Sequence, residues 1–239
     1  LKGLIALLGS GEYLTVMDDV DRYLLSNCCA ENNRKPRVVC LPTAAGREGD
    51  VSVNRWSKMG LEHFTRLGAD AQALPVIDSA SANDPNHAAI VEAADIVYFS
   101  GGNPNYLYQT MKDSLVWRAA QKAWERGAVY AGCSAGAMIL GKTIPDFRML
   151  GLRSTSAFGV VSVVFVIPHF DAIPLFGKPL VATLRKRLKG GEVMLCIDED
   201  TAVVGKLNEA WTVMGAARAH VFTRNDSVSY NAGEKIILK

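Results

Sequence analysis

Short apolar runs alternate with segments of helical spacing over the first two-thirds of the chain. Leu4–Leu8 is apolar and is broken by Gly9-Ser10-Gly11, after which Thr15–Cys28 places Val16, Val20, Tyr23 and Leu24 at helical intervals. Arg37–Leu41 reads as the next strand, ended by Pro42. Val53–Leu67 follows as a helix with Trp56, Met59, Phe64 and Leu67 spaced for one face. Ala71–Ile77 is expected as a strand and His87–Ala94 as a helix. Ile96–Phe99 is a strand closed by Ser100-Gly101-Gly102-Asn103, and Tyr106–Met111 and Val116–Arg126 are helical.

Alternation of this kind predicts an α/β fold, a mostly parallel sheet sandwiched by helices. In such sheets ligands bind beyond the carboxyl ends of the strands. After residue 190 the pattern changes to short strands: Val193–Ile197, Ala202–Val204, Ala210–Met214, His220–Phe222, Val228–Tyr230 and Ile236–Leu238. These read as C-terminal β-hairpins that extend or cover the sheet. Residues 1–239 are therefore expected to form one α/β domain, with about 205–239 as a hairpin extension of it.

The strongest chemical signal lies where a short apolar strand ending near Ala131 runs into Gly132-Cys133-Ser134-Ala135-Gly136 and a helix-forming stretch follows. This is the G-x-S-x-G pattern of a nucleophile elbow in the strand–turn–helix context that it needs. Such a turn strains the central residue and demands small neighbours, so Gly132 and Gly136 fit, and Ser134 would project at the strand's end near the positive end of the helix.

A serine nucleophile needs a base, and commonly an acid to orient that base. With four histidines the search is short. His63 reads as a surface or half-buried helix residue, His87 as solvated at a helix start, and His220 as structural in a late hairpin. His169 differs: the apolar run Val163–Ile167 suggests a buried strand, Pro168 stops its ladder, and His169 begins a loop. For the acid, Asp198-Glu199-Asp200 directly follows Val193–Ile197, with alternate side chains pointing opposite ways in extended backbone, and Asp171 is a further choice. Oxyanion donors are expected from the N–H of Ala135 and from Gly102.

Composition narrows the class. Hydrophobic residues make up 49% and charged residues 21%, and the net charge is +2, which leaves no electrostatic footprint for nucleic acid or an anionic membrane. No apolar run approaches the roughly 20 residues that span a bilayer. Five cysteines without C-x-x-C spacing, three of them (Cys40, Cys133, Cys196) in apolar runs, point to reduced thiols, a cytoplasmic setting and no zinc site. The chain opens on Leu1 rather than Met, as a trimmed chain would, and an upstream leader stays an open alternative.

Phe99-Ser100-Gly101-Gly102-Asn103, Gly132–Ala137, Pro168-His169-Phe170 and Ile197–Ala202 together resemble the dipeptidase E/cyanophycinase family of serine peptidases, from the first strand to about Val204. The resemblance implies a fold related to class I glutamine amidotransferases. It matches Ser134 to the nucleophile, His169 to the base, Glu199 to the third triad member, Gly102 and Ala135 to the oxyanion donors, and Gly101 and Asn103 to the substrate pocket. The reaction implied is hydrolysis of a short peptide or isopeptide through an acyl-enzyme, with no metal or organic cofactor. The partner implied is a small peptide; a homodimer stays open. Cyanophycinases carry a polar Asp-Gln pair before the histidine and arginines soon after it. Here Ile167-Pro168 precede and Asp171-Ala172-Ile173-Pro174 follow, closer to the dipeptidase branch, which favours an amino-terminal aspartate. A cationic partner for that carboxylate is expected; Arg185, Lys186 and Arg187 are candidates, although such a run is commonly a solvated helix face. Three rivals remain: an α/β-hydrolase-type esterase with His220 as base, an amidotransferase-like site on Cys133, and a catalytically silent binding module.

Overall fold

The computed structural model describes residues 2–30, 34–147, 152–173 and 178–238. In chain order its main elements are β1 (Ile5–Leu8), α1 (Asp18–Ser26), β2 (Arg37–Leu41), α2 (Asp50–Arg66), β3 (Asp70–Ala73), α3 (Ser79–Ala82), α4 (Pro85–Glu92), β4 (Ile96–Phe99), α5 (Pro104–Met111), α6 (Leu115–Arg126), β5 (Val129–Cys133) and α7 (Ala135–Met138). They are followed by β6 (Thr143–Pro145), β7 (Ser154–Ser156), β8 (Phe165–Ile167), α8 (Lys178–Arg187), β9 (Met194–Ile197), β10 (Thr201–Gly205), β11 (Ala210–Gly215), β12 (Arg218–Phe222), β13 (Ser227–Asn231) and β14 (Lys235–Ile237).

Eight strands form the central sheet in the order β14-β11-β10-β1-β5-β4-β2-β3. Every pair among β1, β5, β4, β2 and β3 is parallel, whereas β10, β11 and β14 add on antiparallel beyond β1. β1, β4 and β5 are buried on both faces, which is why their sequences are continuous apolar runs rather than alternations, whereas the edge strand β3 has no buried residue. Successive strand residues face opposite ways. Leu7, Leu41, Val97, Phe99 and Tyr130 pack with α4 to α7, while Ala6, Leu8, Cys40, Tyr98 and Ala131 pack with α1 and α2.

A second, four-stranded sheet runs β13-β12-β9-β8, and α8 packs on it through Leu180 and Leu184, joined by Leu188 just past its end. The tail strands therefore divide: β11 and β14 continue the central sheet, and β12 and β13 join the second one. β3 stops at Ala73 rather than Ile77, because Pro75 has no N–H to give the ladder. All five cysteines are free thiols, and Cys40, Cys133 and Cys196 are buried. Among the described residues no helix is long and apolar enough to cross a membrane. Pro174 lies outside the described residues.

Candidate active site

β5 lies in the middle of the parallel sheet, between β1 and β4, and delivers Ser134 at its carboxyl end. Ser134 has φ 49° and ψ −105°, a region that a residue with a side chain occupies only when its surroundings enforce it. The enforcement is visible in the glycines. A Cβ on Gly132 would run into the backbone of Gly136, and one on Gly136 would stand 2.5 Å from the Phe99 carbonyl on β4. The elbow is thus wedged against the neighbouring strand, and only glycines let the three backbones approach. The helix behind Ser134 has four residues, so the N–H of Ala135 is the donor it offers, rather than a developed macrodipole.

His169 follows β8 by two residues, past Pro168, at a positive φ of 52°. Its Nε2 is 3.1 Å from Ser134 Oγ and its Nδ1 is 2.9 Å from Glu199 Oε1. The imidazole and carboxyl are each a little under half exposed, at 43% and 46%, so the line of three opens to solvent on one side. Asp171 and Asp198 each have a separate partner. Asp171 accepts the Glu199 N–H at 2.8 Å, fixing the backbone that carries Glu199. Asp198 is buried and holds His220 Nε2 at 3.1 Å together with the Arg218 N–H at 3.2 Å. The Asp200 N–H donates to Ser10 Oγ at 3.0 Å.

His220 also contacts Ser229 Oγ at 2.8 Å, and its ring lies 4.8 Å from that of Phe170, the residue after His169. It supports the site from behind and does not touch Ser134. His63 departs from the sequence expectation: it is buried, 3% exposed, with Nε2 2.8 Å from the fully buried Asp21. The helical pattern cannot reveal a partner 42 residues away. His87 is half-buried, with Nδ1 3.0 Å from the Ser81 carbonyl oxygen.

The Gly101-Gly102 turn comes up beside the elbow; a Cβ on Gly101 would be 3.3 Å from that of Ser134. Gly102 is exposed at φ 139°, and a Cβ there would press on the backbone of Ala44. Among the described residues neither the Gly102 N–H nor the Ala135 N–H has a protein acceptor. Gly101 is different: buried, its N–H donates to Glu12 Oε1 at 2.8 Å, so it supports the turn instead of lining the pocket. Asn103 Oδ1 accepts the Tyr106 N–H at 2.9 Å, capping α5, and Gly102 and Asn103 both line an open cavity of about 610 Å³.

Glu12 is the residue that sequence reasoning missed. It is buried just past β1, and its other oxygen takes the Cys133 thiol at 2.9 Å. One carboxyl group thus ties the residue before Ser134 to the residue before Gly102. The available signal was an acid set among glycines and apolar residues directly after a core strand, in Gly9-Ser10-Gly11-Glu12-Tyr13-Leu14. Burial, with the Glu12 carboxyl beside it, pushes the Cys133 thiol well above its ordinary range, which keeps it an inert thiol rather than a nucleophile. Arg185 and Arg187 also lie away from the elbow. Arg185 donates to the carbonyls of Thr223 and Asp226, and Arg187 to Ser154 Oγ at 2.7 Å.

A strained serine at the end of a central parallel strand, facing an imidazole, defines a serine-type hydrolase of the α/β class. The chain belongs to peptidase family S51, whose model matches residues 5–210. It is similar over nearly its whole length to a peptidase of solved structure from an acI-B1 Actinobacterium, at 35% identity and a TM-score of 0.87, covering 98% of this chain and 96% of that one. It is 24% identical to the cyanophycinase of Synechococcus elongatus, over 96% of this chain and 70% of that protein. It is also 26% identical to peptidase E of Citrobacter koseri, over 66% of this chain and 67% of that protein.

Proposed function

We propose that the protein hydrolyses short peptides or isopeptides through an acyl-enzyme on Ser134. The observation that carries this reading is the unbroken line from Ser134 Oγ to His169 Nε2 (3.1 Å) and from His169 Nδ1 to Glu199 Oε1 (2.9 Å). His169 takes the Ser134 proton as the hydroxyl attacks the carbonyl carbon, and Glu199 steadies the imidazolium that forms. The N–H groups of Ala135 and Gly102 receive the developing oxyanion; one such donor is worth roughly 100- to 1,000-fold in rate. His169 returns the proton to the leaving amine, and water then enters by the same route to release the acyl group. Positioned proton transfer of this kind contributes roughly 100- to 10,000-fold.

The resemblance of Pro168-His169-Phe170 to the dipeptidase branch favours dipeptides with an acidic first residue as substrates. The chain is read as a single hydrolytic domain, since β10 and β11 continue the sheet that holds Ser134. Five free thiols favour a reducing compartment such as the cytoplasm. The test is a dipeptide and isopeptide library screened against the native chain, Ser134→Ala and His169→Ala, with a fluorophosphonate probe read by mass spectrometry. Turnover with a single adduct on Ser134, both lost in Ser134→Ala, is expected. An unlabelled native chain that cleaves nothing would leave a binding module instead.

A further inference from the structure

We propose that Arg47 is the specificity-determining residue of this site and that its guanidinium reads a carboxylate of the bound peptide. The proposal rests on the peptidase reading above and adds to it the substrate chemistry.

Arg47 stands two residues beyond a 3-10 turn, Thr43–Ala45. That turn is fastened to the candidate oxyanion loop, for the Ala44 carbonyl accepts the Asn103 N–H at 2.9 Å and the Ala44 backbone is what packs under Gly102. The chain then passes close over Tyr106: a Cβ on Gly46 would be 2.7 Å from the Tyr106 ring. Tyr106 is itself fixed, its hydroxyl donating to the Ile77 carbonyl at 2.6 Å. The Arg47 guanidinium carbon lies 4.6 Å from the centre of that ring. Arg47 and Tyr106 both line the cavity that begins at Gly102 and Asn103.

Stacking on an aromatic face occupies the flat side of a guanidinium and leaves its edge of N–H donors for a planar acceptor in two-pronged contact. None of the ion pairs among the described residues uses Arg47. Glu48, its neighbour, accepts the Ser52 hydroxyl at 2.6 Å. Glu48 and Asp146 also line the cavity, and their charge disfavours a multiply charged anion such as phosphate. A single carboxylate accompanied by an ammonium group, as on a short peptide, suits one arginine set among two acids. Two sources supply that chemistry, an acidic side chain and the carboxyl terminus.

The test uses Asp-Leu, Asn-Leu and Asp-Leu-amide. Binding is measured by calorimetry to Ser134→Ala and to Ser134→Ala/Arg47→Gln, and kcat/KM with the Ser134 chain with and without Arg47→Gln. Replacing the carboxylate that Arg47 reads should weaken binding about 10- to 100-fold, and in the Arg47→Gln background the acid and its amide should bind alike. The peptide whose penalty disappears identifies the source. A penalty that persists without Arg47, or an equal loss for all three peptides, overturns the proposal. If the native chain cleaves none of them while Ser134→Ala still discriminates acid from amide through Arg47, the peptidase reading fails and the carboxylate site stands.

Discussion

Removing the Glu12 carboxyl tests how the elbow is held in its strained geometry. Glu12→Ala leaves the buried Gly101 N–H without an acceptor, which costs about 1–3 kcal/mol. The Cys133 thiol is a weak donor and adds only a few tenths of that, while the space vacated beside β1 adds about another 1 kcal/mol. The sum is about 2–4 kcal/mol. Glu12→Gln keeps an oxygen for Gly101 and turns an amide N–H toward the Cys133 sulfur, so it should cost about 1 kcal/mol. With a urea dependence near 3 kcal/mol per molar for a chain of this size, Glu12→Ala should lower the midpoint by roughly 1 M. Gly102 follows Gly101 directly, so loosening the turn should also lower kcat about 10- to 100-fold while KM moves less. Tryptophan fluorescence during urea unfolding and steady-state peptide hydrolysis measure both. A Glu12→Ala midpoint within about 0.2 M of the native chain, or damage from Gln equal to that from Ala, would refute the role given to this carboxyl group.

Two further outcomes follow from the geometry. His220→Ala removes a partner of the buried Asp198 and the ring beside Phe170, so thermal unfolding should register a loss of about 1–3 kcal/mol; Ser134 should still take a fluorophosphonate, and His169→Ala should lose it. Burial pushes the Asp95 carboxyl up, but hydrogen bonds from Arg34 (2.9 Å) and the Arg37 N–H (2.8 Å) more than offset it and hold it below its ordinary value of 3.8. A depressed acid stabilises the fold above its unfolded value and loses that contribution as pH falls through the folded one. The stability gap between the native chain and Asp95→Asn, about 1–3 kcal/mol at pH 7, should therefore close below pH 3.8 in unfolding curves taken across acid pH.

The parallel half of the fold was legible because each strand carries its own local signature. Arg37–Leu41, apolar after its first residue, and Ile96–Phe99, apolar throughout, are bounded by breakers, and both appear with those bounds. Ser134 and its turn were equally plain, since only small residues fit where three backbones meet. His169 could be singled out because an apolar run and a proline placed it at a strand's end. Pairing over long separations was not legible. Nothing near Glu12 names Gly101, 89 positions away. Nothing near His220 says that β12 pairs with β9 rather than with the sheet beside it. His63 shows the same limit, because a polar residue on a helix reads as exposed until its acid is found.

The hydroxyl and the imidazole stand on different sheets: Ser134 ends a strand of the eight-stranded one, and His169 follows the edge strand of the four-stranded one. Asp198, Glu199 and Asp200 form one of the chain's crossings between the two, leaving β9 and entering β10. The pocket therefore straddles a seam, and Glu199 rides on the stitch. Slippage along that seam, even from a change out on β12 or β13, carries the ring, whose strand β8 is paired with β9, away from the hydroxyl on the other sheet, and turnover should register the shift before circular dichroism does.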